Sequence, residues 1–250
     1  RNVRGVVLTF TDMTEIREAE AALRDAVRAR DEVLAVVSHD LRNPVGTIAA
    51  AAELLGDVPL PPERQEEHLE AIGRAADRIN RLIQDLLDVA QIEAGRLSVR
   101  TKPVDIVEVF EEVFSQMRWE ADEEEVDLTV RGAADLPSVK ADRDRIVQVM
   151  SNLIDNGLKF TPAGGRVTMA ASRVPGGVSV TVADTGPGIE PEMEEHLFDR
   201  FWKGHADGTR GAGLGLAIVD GILQAHGTRI HVETEIGRGS VFSFTLPTGD

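Results

Sequence analysis

Cysteine is absent from this 250-residue chain, which excludes disulfides and suits a reducing compartment. Positive charge is scarce: 27 Lys and Arg face 43 Asp and Glu, for a net charge of −16. That balance argues against a nucleic-acid or anionic-membrane partner, and any phosphate chemistry must draw on local positive charge. Long apolar runs are missing too, none approaching the roughly 18 residues that span a bilayer, and the first residues lack a signal-peptide layout. The expectation is a soluble, cytoplasmic segment. It opens on a strand-like run, Gly5 to Phe10, with no hairpin partner nearby, as expected of a fragment whose preceding part holds a sensor or a membrane anchor. Glycine and proline are absent from Glu15 until Pro44, so helix is expected there.

With 42% apolar residues the chain can build the cores of two ordinary domains. Leu34, Val37, Leu41, Ile48 and Leu55 keep near-heptad spacing, the mark of a seam buried against partner helices. Gly56 to Pro62 stops that helix, with Pro62 suited to the first turn of the next. A second periodic run passes through Leu69, Ile72, Ala76, Ile79, Leu82/Ile83, Leu86/Leu87 and Ala90 to end near Gly95. Two helices joined this way form an antiparallel hairpin, and pairing two hairpins into a four-helix dimer hides the remaining apolar surface. Beyond Gly95, strands are expected at Leu97–Arg100, Asp127–Arg131, Arg166–Arg173, Val178–Asp184, Arg229–Thr234 and Ser240–Leu246. Helices are expected at Asp105–Glu123, Asp142–Leu158, Glu192–Phe201 and Leu214–His226, giving an α+β sandwich with helices on one side.

Four polar islands interrupt this pattern. His39 lies about 200° around the helix from seam residue Leu41, so its imidazole faces solvent, with Asn43 one turn on and Asp40 placed to fix the ring tautomer or take its proton. Pro44 removes the N–H that would bond the Asp40 carbonyl, and a kink is expected there. No second histidine lies at i+3 or i+4, so a metal site is disfavoured. Asn152, Asn156 and Lys159 form a column beside the core stripe Ile146, Val149, Met150 and Leu153. Two amides and an ammonium in one column suit a Mg²⁺–phosphate group. Asp184-Thr185-Gly186-Pro187-Gly188-Ile189 follows a strand, where a carboxylate can accept the exocyclic amine of adenine and the glycines admit close backbone approach. Gly211-Ala212-Gly213-Leu214-Gly215-Leu216 opens a helix, whose N–H groups favour anions, after a stretch carrying Arg200, Lys203, His205 and Arg210. Each island has a bland reading as exposed polar surface or turn, and His205 is given that reading.

In this order the islands resemble the motifs of bacterial sensor histidine kinases over about residues 15–248: a phosphoacceptor box at His39, an asparagine box at Asn152–Phe160, glycine boxes at Asp184–Gly188 and Gly211–Gly215, and a phenylalanine box at Phe198–Phe201. The resemblance implies a dimeric helical hairpin for histidine phosphotransfer over 31–97, then an ATP-binding α/β sandwich of the gyrase, Hsp90 and histidine-kinase type over 98–250. Residues 1–14 resemble the last strand of a PAS sensor domain, which makes 15–30 a coiled-coil signalling linker. By resemblance His39 accepts the phosphoryl group, Asp40 assists, Asn156 binds Mg²⁺ and Asp184 binds adenine. Gly186, Gly188, Ile189, Gly211, Gly213, Leu214 and Gly215 shape the ATP pocket and lid, and Asn152, Lys159, Phe160, Arg200 and Lys203 approach the nucleotide. Gly157 stands for a commoner alanine and Ala212 for a threonine, neither a charge nor a ligand. Asn43 implies an added phosphatase activity on the partner response regulator. An ATPase of the gyrase type would need a carboxylate where Asn152 stands, and a scaffold without transfer would not need His39, Asp40, Asn156 and Asp184 together.

Overall fold

The computed structural model describes residues 37–56, 60–132, 135–202 and 213–249. The expected sensor remnant at 1–14, the linker at 15–30, and Leu34, Lys203, His205, Arg210 and Gly211 lie outside them.

Helix α1, residues 37–56, runs through Pro44 without a break in its helical assignment. Its sheltered side is Val37, Asp40, Leu41, Pro44, Ile48, Ala51 and Leu55, the expected seam with one carboxylate set into it. Helix α2 follows over Pro62–Glu93, with Pro62 in its first turn as expected. Within α2 the buried column is Ala75, Leu82 and Val89. Of the expected run, Leu82 is buried and Ile72, Ala76, Ile79 and Leu86 are half-buried, while Leu69 and Ala90 are exposed. The helix carries two adjacent apolar columns, and the second, with Leu69 (61% exposed), Ile83 and Leu87, faces outward together with Val45 and Leu54 of α1.

The second half is built on a five-stranded sheet in the order β2-β4-β5-β7-β6: β2 Asp127–Arg131, β4 Arg166–Val174, β5 Gly177–Asp184, β6 His231–Glu235 and β7 Gly239–Pro247. Only β2 and β4 run parallel. Helices α3, Ile106–Glu123, and α4, Arg143–Phe160, start on the side-chain caps of Asp105 and Asp142. Together with α6, Gly215–Ala225, they contribute Phe110, Ile146, Met150, Ile154, Ile218 and Ile222 to a core shared with Met169 and Phe244 of the sheet. Two expectations fail here. The strand placed at Leu97–Arg100 is irregular, because the Arg100 N–H is taken by the Asp142 carboxylate at 2.8 Å. A small antiparallel pair forms instead between β1, Lys102–Val104, and the unanticipated β3, Val139–Ala141. The helix expected over Glu192–Phe201 is reduced to α5, Pro191–Glu194, followed by i→i+3 turns that end on Phe201 at φ 61°.

His226 ties this domain together at the end of α6. Its Nε2 accepts the Asp142 N–H at 3.0 Å, so its Nδ1–H donates to the Ile222 carbonyl at 2.9 Å. His226→Phe keeps the volume but orphans a half-buried N–H, and is expected to cost about 1–3 kcal/mol, read as a lower urea midpoint with an unchanged slope.

Candidate active site

On α1, His39 holds its side chain 68% exposed while the neighbouring Asp40 carboxylate is buried. Nδ1 of His39 lies 3.0 Å from Asp40 Oδ1. A carboxylate oxygen accepts, so Nδ1 carries the hydrogen and Nε2 is left as the ring nitrogen with a lone pair in an open imidazole. Asn43, one turn on, is also exposed, and its carbonyl accepts from the Thr47 hydroxyl at 3.2 Å.

The other islands converge at one end of the sandwich. The core stripe of α4 is buried as expected, which sets Asn152, Asn156 and Lys159, all half-buried, along the adjoining column. Asn152 donates from Nδ2 to the Gly215 carbonyl at 3.4 Å, linking α4 to the first turn of α6. Lys159 Nζ stands 4.9 Å from the centroid of the half-exposed Phe160 ring. Asp184 closes β5, and its Oδ1 accepts from the Gly186 N–H at 2.8 Å and the Ser240 N–H at 3.2 Å. Burial pushes this carboxyl above its ordinary value, while the two N–H donors pull the other way. Gly188 sits at φ 75°, where a Cβ would fall 2.4 Å from the Glu235 carbonyl, so glycine alone fits between this turn and the end of β6. Ile189 donates its N–H to Thr234 Oγ1 at 2.9 Å, and Thr234 in turn pairs with Ser240 Oγ at 3.1 Å.

Sequence reasoning missed Thr234 and Ser240. They lie on neighbouring strands far from any polar island, and no spacing rule points to them before β6 and β7 are paired. The two flanks of segment 203–212 meet where the Phe201 N–H donates to the Gly213 carbonyl at 2.8 Å. Leu214 is buried, and it supplies no side-chain cap to the first turn of α6. Arg200 pairs with Glu93 at the end of α2.

The chain matches two family models: the His Kinase A (phospho-acceptor) domain over residues 29–95, and the histidine kinase-, DNA gyrase B- and HSP90-like ATPase over 141–250. It is 35% identical over 97% of its length to the sensor protein DivL of Caulobacter vibrioides, and 33% identical over 97% to the adaptive-response sensory kinase SasA of Microcystis aeruginosa. It spans 32% of DivL and 66% of that SasA, so about a third of the first of these curated relatives. Among solved structures, that of full-length ShkA in complex with AMPPNP is 33% identical, with a TM-score of 0.65, over 87% of this chain and 46% of ShkA. The catalytic domain of the histidine kinase ThkA is 29% identical, with a TM-score of 0.54, over 60% of this chain and 96% of that domain. The phosphoacceptor hairpin, the sandwich with its Asp184 turn, and these likenesses lead to one family: the chain belongs to the bacterial sensor histidine kinases, of which it carries the catalytic core.

Proposed function

We propose that this chain takes the γ-phosphoryl group of ATP onto Nε2 of His39 and passes it to an aspartate of a response-regulator receiver domain. The observation that carries the reading is the His39–Asp40 pair, which commits Nδ1 and leaves Nε2 nucleophilic in an imidazole 68% exposed. The Nε2 lone pair attacks the γ-phosphorus, the bond to the β-phosphate oxygen breaks, and ADP leaves. The new N–P bond makes the Nδ1 proton more acidic, and Asp40 holds or accepts it.

For the nucleotide, Asp184 is the adenine acceptor, flanked by Gly186, Gly188 and Ile189. The uncapped first turn of α6, after Gly213 and Leu214, offers its N–H groups to phosphate oxygens beside the Asn152 and Asn156 amides and Lys159. That donor set fits a metal held jointly with phosphates: Asn156 would give Mg²⁺ an amide oxygen, and the ion would supply charge neutralisation. The crystallisation of ShkA, a 33% identical relative, with AMPPNP supports ATP as the nucleotide.

We assign 31–97 to the phosphotransfer hairpin and 98–250 to ATP binding, with a sensor domain upstream, and read the outward Leu69, Ile83 and Leu87 column as the surface that a second copy covers. The test is incubation with γ-labelled ATP and Mg²⁺. An acid-labile, alkali-stable label that a receiver domain then removes supports the reading, and an alkali-labile label rejects it.

A phosphatase activity on the same regulator rests on Asn43, exposed on the His39 face one turn on. Asn43→Ala is expected to slow receiver dephosphorylation by at least about tenfold through loss of a water-positioning amide, with autophosphorylation retained. Wild-type dephosphorylation by the variant would remove Asn43 from that role.

A further inference from the structure

The hairpin of β6 and β7 lies outside the four polar islands of the sequence, yet it packs directly on the Asp184 turn. A Cβ on Gly239, at φ 109°, would run into the Asp184 carbonyl, so the start of β7 rests on the end of β5. The Gly237 N–H donates to the Pro187 carbonyl at 2.7 Å, which fixes the hairpin loop to the middle of the turn. One side chain reaches both partners in this contact. Thr234 Oγ1 accepts the Ile189 N–H at 2.9 Å, where the turn ends. Its single hydrogen has two acceptors within reach, the Gly239 carbonyl at 3.2 Å and Ser240 Oγ at 3.1 Å. Thr234 and Ser240 stand directly opposite each other in the register of β6 and β7.

Ser240 is also the residue whose N–H holds Asp184 Oδ1 at 3.2 Å, while the Gly186 N–H, within the turn, holds the same oxygen at 2.8 Å. Oδ1 is thus gripped from two sides, and among the described residues none donates a hydrogen bond to Oδ2. Oδ2 is the oxygen available to a base. Its direction depends on how firmly the turn and the start of β7 are held together, and the Thr234 hydroxyl bonds to both.

We propose that Thr234 is a positioning residue for base selection: through Ile189 and Ser240 it keeps Asp184 Oδ2 aimed where adenine carries its exocyclic amine, and so makes the site prefer adenine to guanine. The inference deepens the reading of Asp184 as the adenine acceptor and rests on it. Guanine presents a carbonyl oxygen where adenine presents that amine. A carboxylate held in place bonds the amine and repels the carbonyl. A carboxylate free to swing turns away from the carbonyl and toward guanine's own N–H donors, so discrimination falls even though a carboxylate is still present.

Thr234→Val keeps the shape and strand preference of the side chain but leaves the Ile189 N–H without its acceptor. The full chain is titrated calorimetrically with the non-hydrolysable analogues AMPPNP and GMPPNP. In Thr234→Val, AMPPNP affinity is expected to fall about tenfold and the ratio of AMPPNP to GMPPNP affinity by at least about fivefold. Thr234→Ala, which also lacks the hydroxyl, should show the same fall in the ratio, and Thr234→Ser, which keeps it, should recover most of the wild-type ratio. The ratio then follows the hydroxyl and not the bulk of the side chain. A residue that only stabilised the fold would lower the melting temperature and leave the ratio as it was. A hydroxyl-free variant with the wild-type ratio, or a serine variant with a ratio as low as the valine one, overturns the role of Thr234. A wild type that binds neither analogue, or binds both equally, overturns the reading of Asp184 and this inference with it.

Discussion

His39→Gln is expected to lower phosphate incorporation from ATP by at least about three orders of magnitude, because it removes the one nucleophile while leaving its surroundings intact. Glutamine is of similar size, and its side-chain NH₂ can still donate to Asp40, but an amide nitrogen has no available lone pair for phosphorus. The fold has little reason to notice the change: the His39 side chain is 68% exposed and its hydrogen-bond partner is the adjacent residue. Nucleotide affinity should stay within about twofold, since the Asp184 pocket is on the other domain. Label incorporation and titration with a fluorescent ATP analogue, made on one preparation, separate the two properties. Undiminished label would mean that one of the other five histidines accepts the phosphoryl group, and the role given to the His39–Asp40 pair would be wrong.

The features on which that expectation rests were legible in the sequence because they obey local rules. A residue about 200° from a seam is exposed, a carboxylate next to an imidazole can reach it, and an apolar stripe on α4 puts Asn152 and Asn156 on the adjoining column. Strand β2 was placed to the residue, and β4, β5 and β7 to within a residue at nearly every end. What escaped depends on distant partners. Strands β1 and β3 are three residues each and make sense only as a pair, with Lys102 opposite Ala141. On α2 the expected run includes the sheltered Ile72, Ala76, Ile79, Leu82 and Leu86 but omits the buried Ala75 and Val89, because both of its apolar columns satisfy a helical period and periodicity does not say which one meets its own chain. Asp88 escaped for a related reason: in sequence a charged residue on an amphipathic helix belongs to the solvent side, and only the docking of α4 turns it inward. The segment after α5 is rich in helix formers, yet the left-handed Phe201 and its bond to Gly213 impose tight turns on it.

Asp184→Ala should do to nucleotide binding what the His39 change does to transfer. In the folded protein the carboxylate already organises its pocket, since one oxygen accepts from Gly186 and Ser240 and so joins the turn after β5 to the start of β7. Its loss orphans the donors of two buried residues, Gly186 and Ser240, and in the proposed role removes the acceptor for the adenine amine, a combined cost to nucleotide affinity of about 3 kcal/mol, or roughly a hundredfold. Asp184→Asn separates the two contributions. The amide oxygen can keep an N–H partner, so thermal stability should recover toward wild type, but the charge is gone and an NH₂ faces the amine, so affinity should remain low. Acidification provides an independent check. Burial holds the Asp184 carboxyl above its ordinary 3.8, and in the proposed role it is the ionised form that accepts the adenine amine. Affinity is therefore full above the raised value and is lost as pH falls through it, at a higher pH than an ordinary aspartate would give. Asp184→Asn has no such group and should lack that acid limb. Calorimetric titration of a non-hydrolysable ATP analogue across this range tests the assignment, and an unchanged acid limb in the asparagine variant would place the titrating group elsewhere.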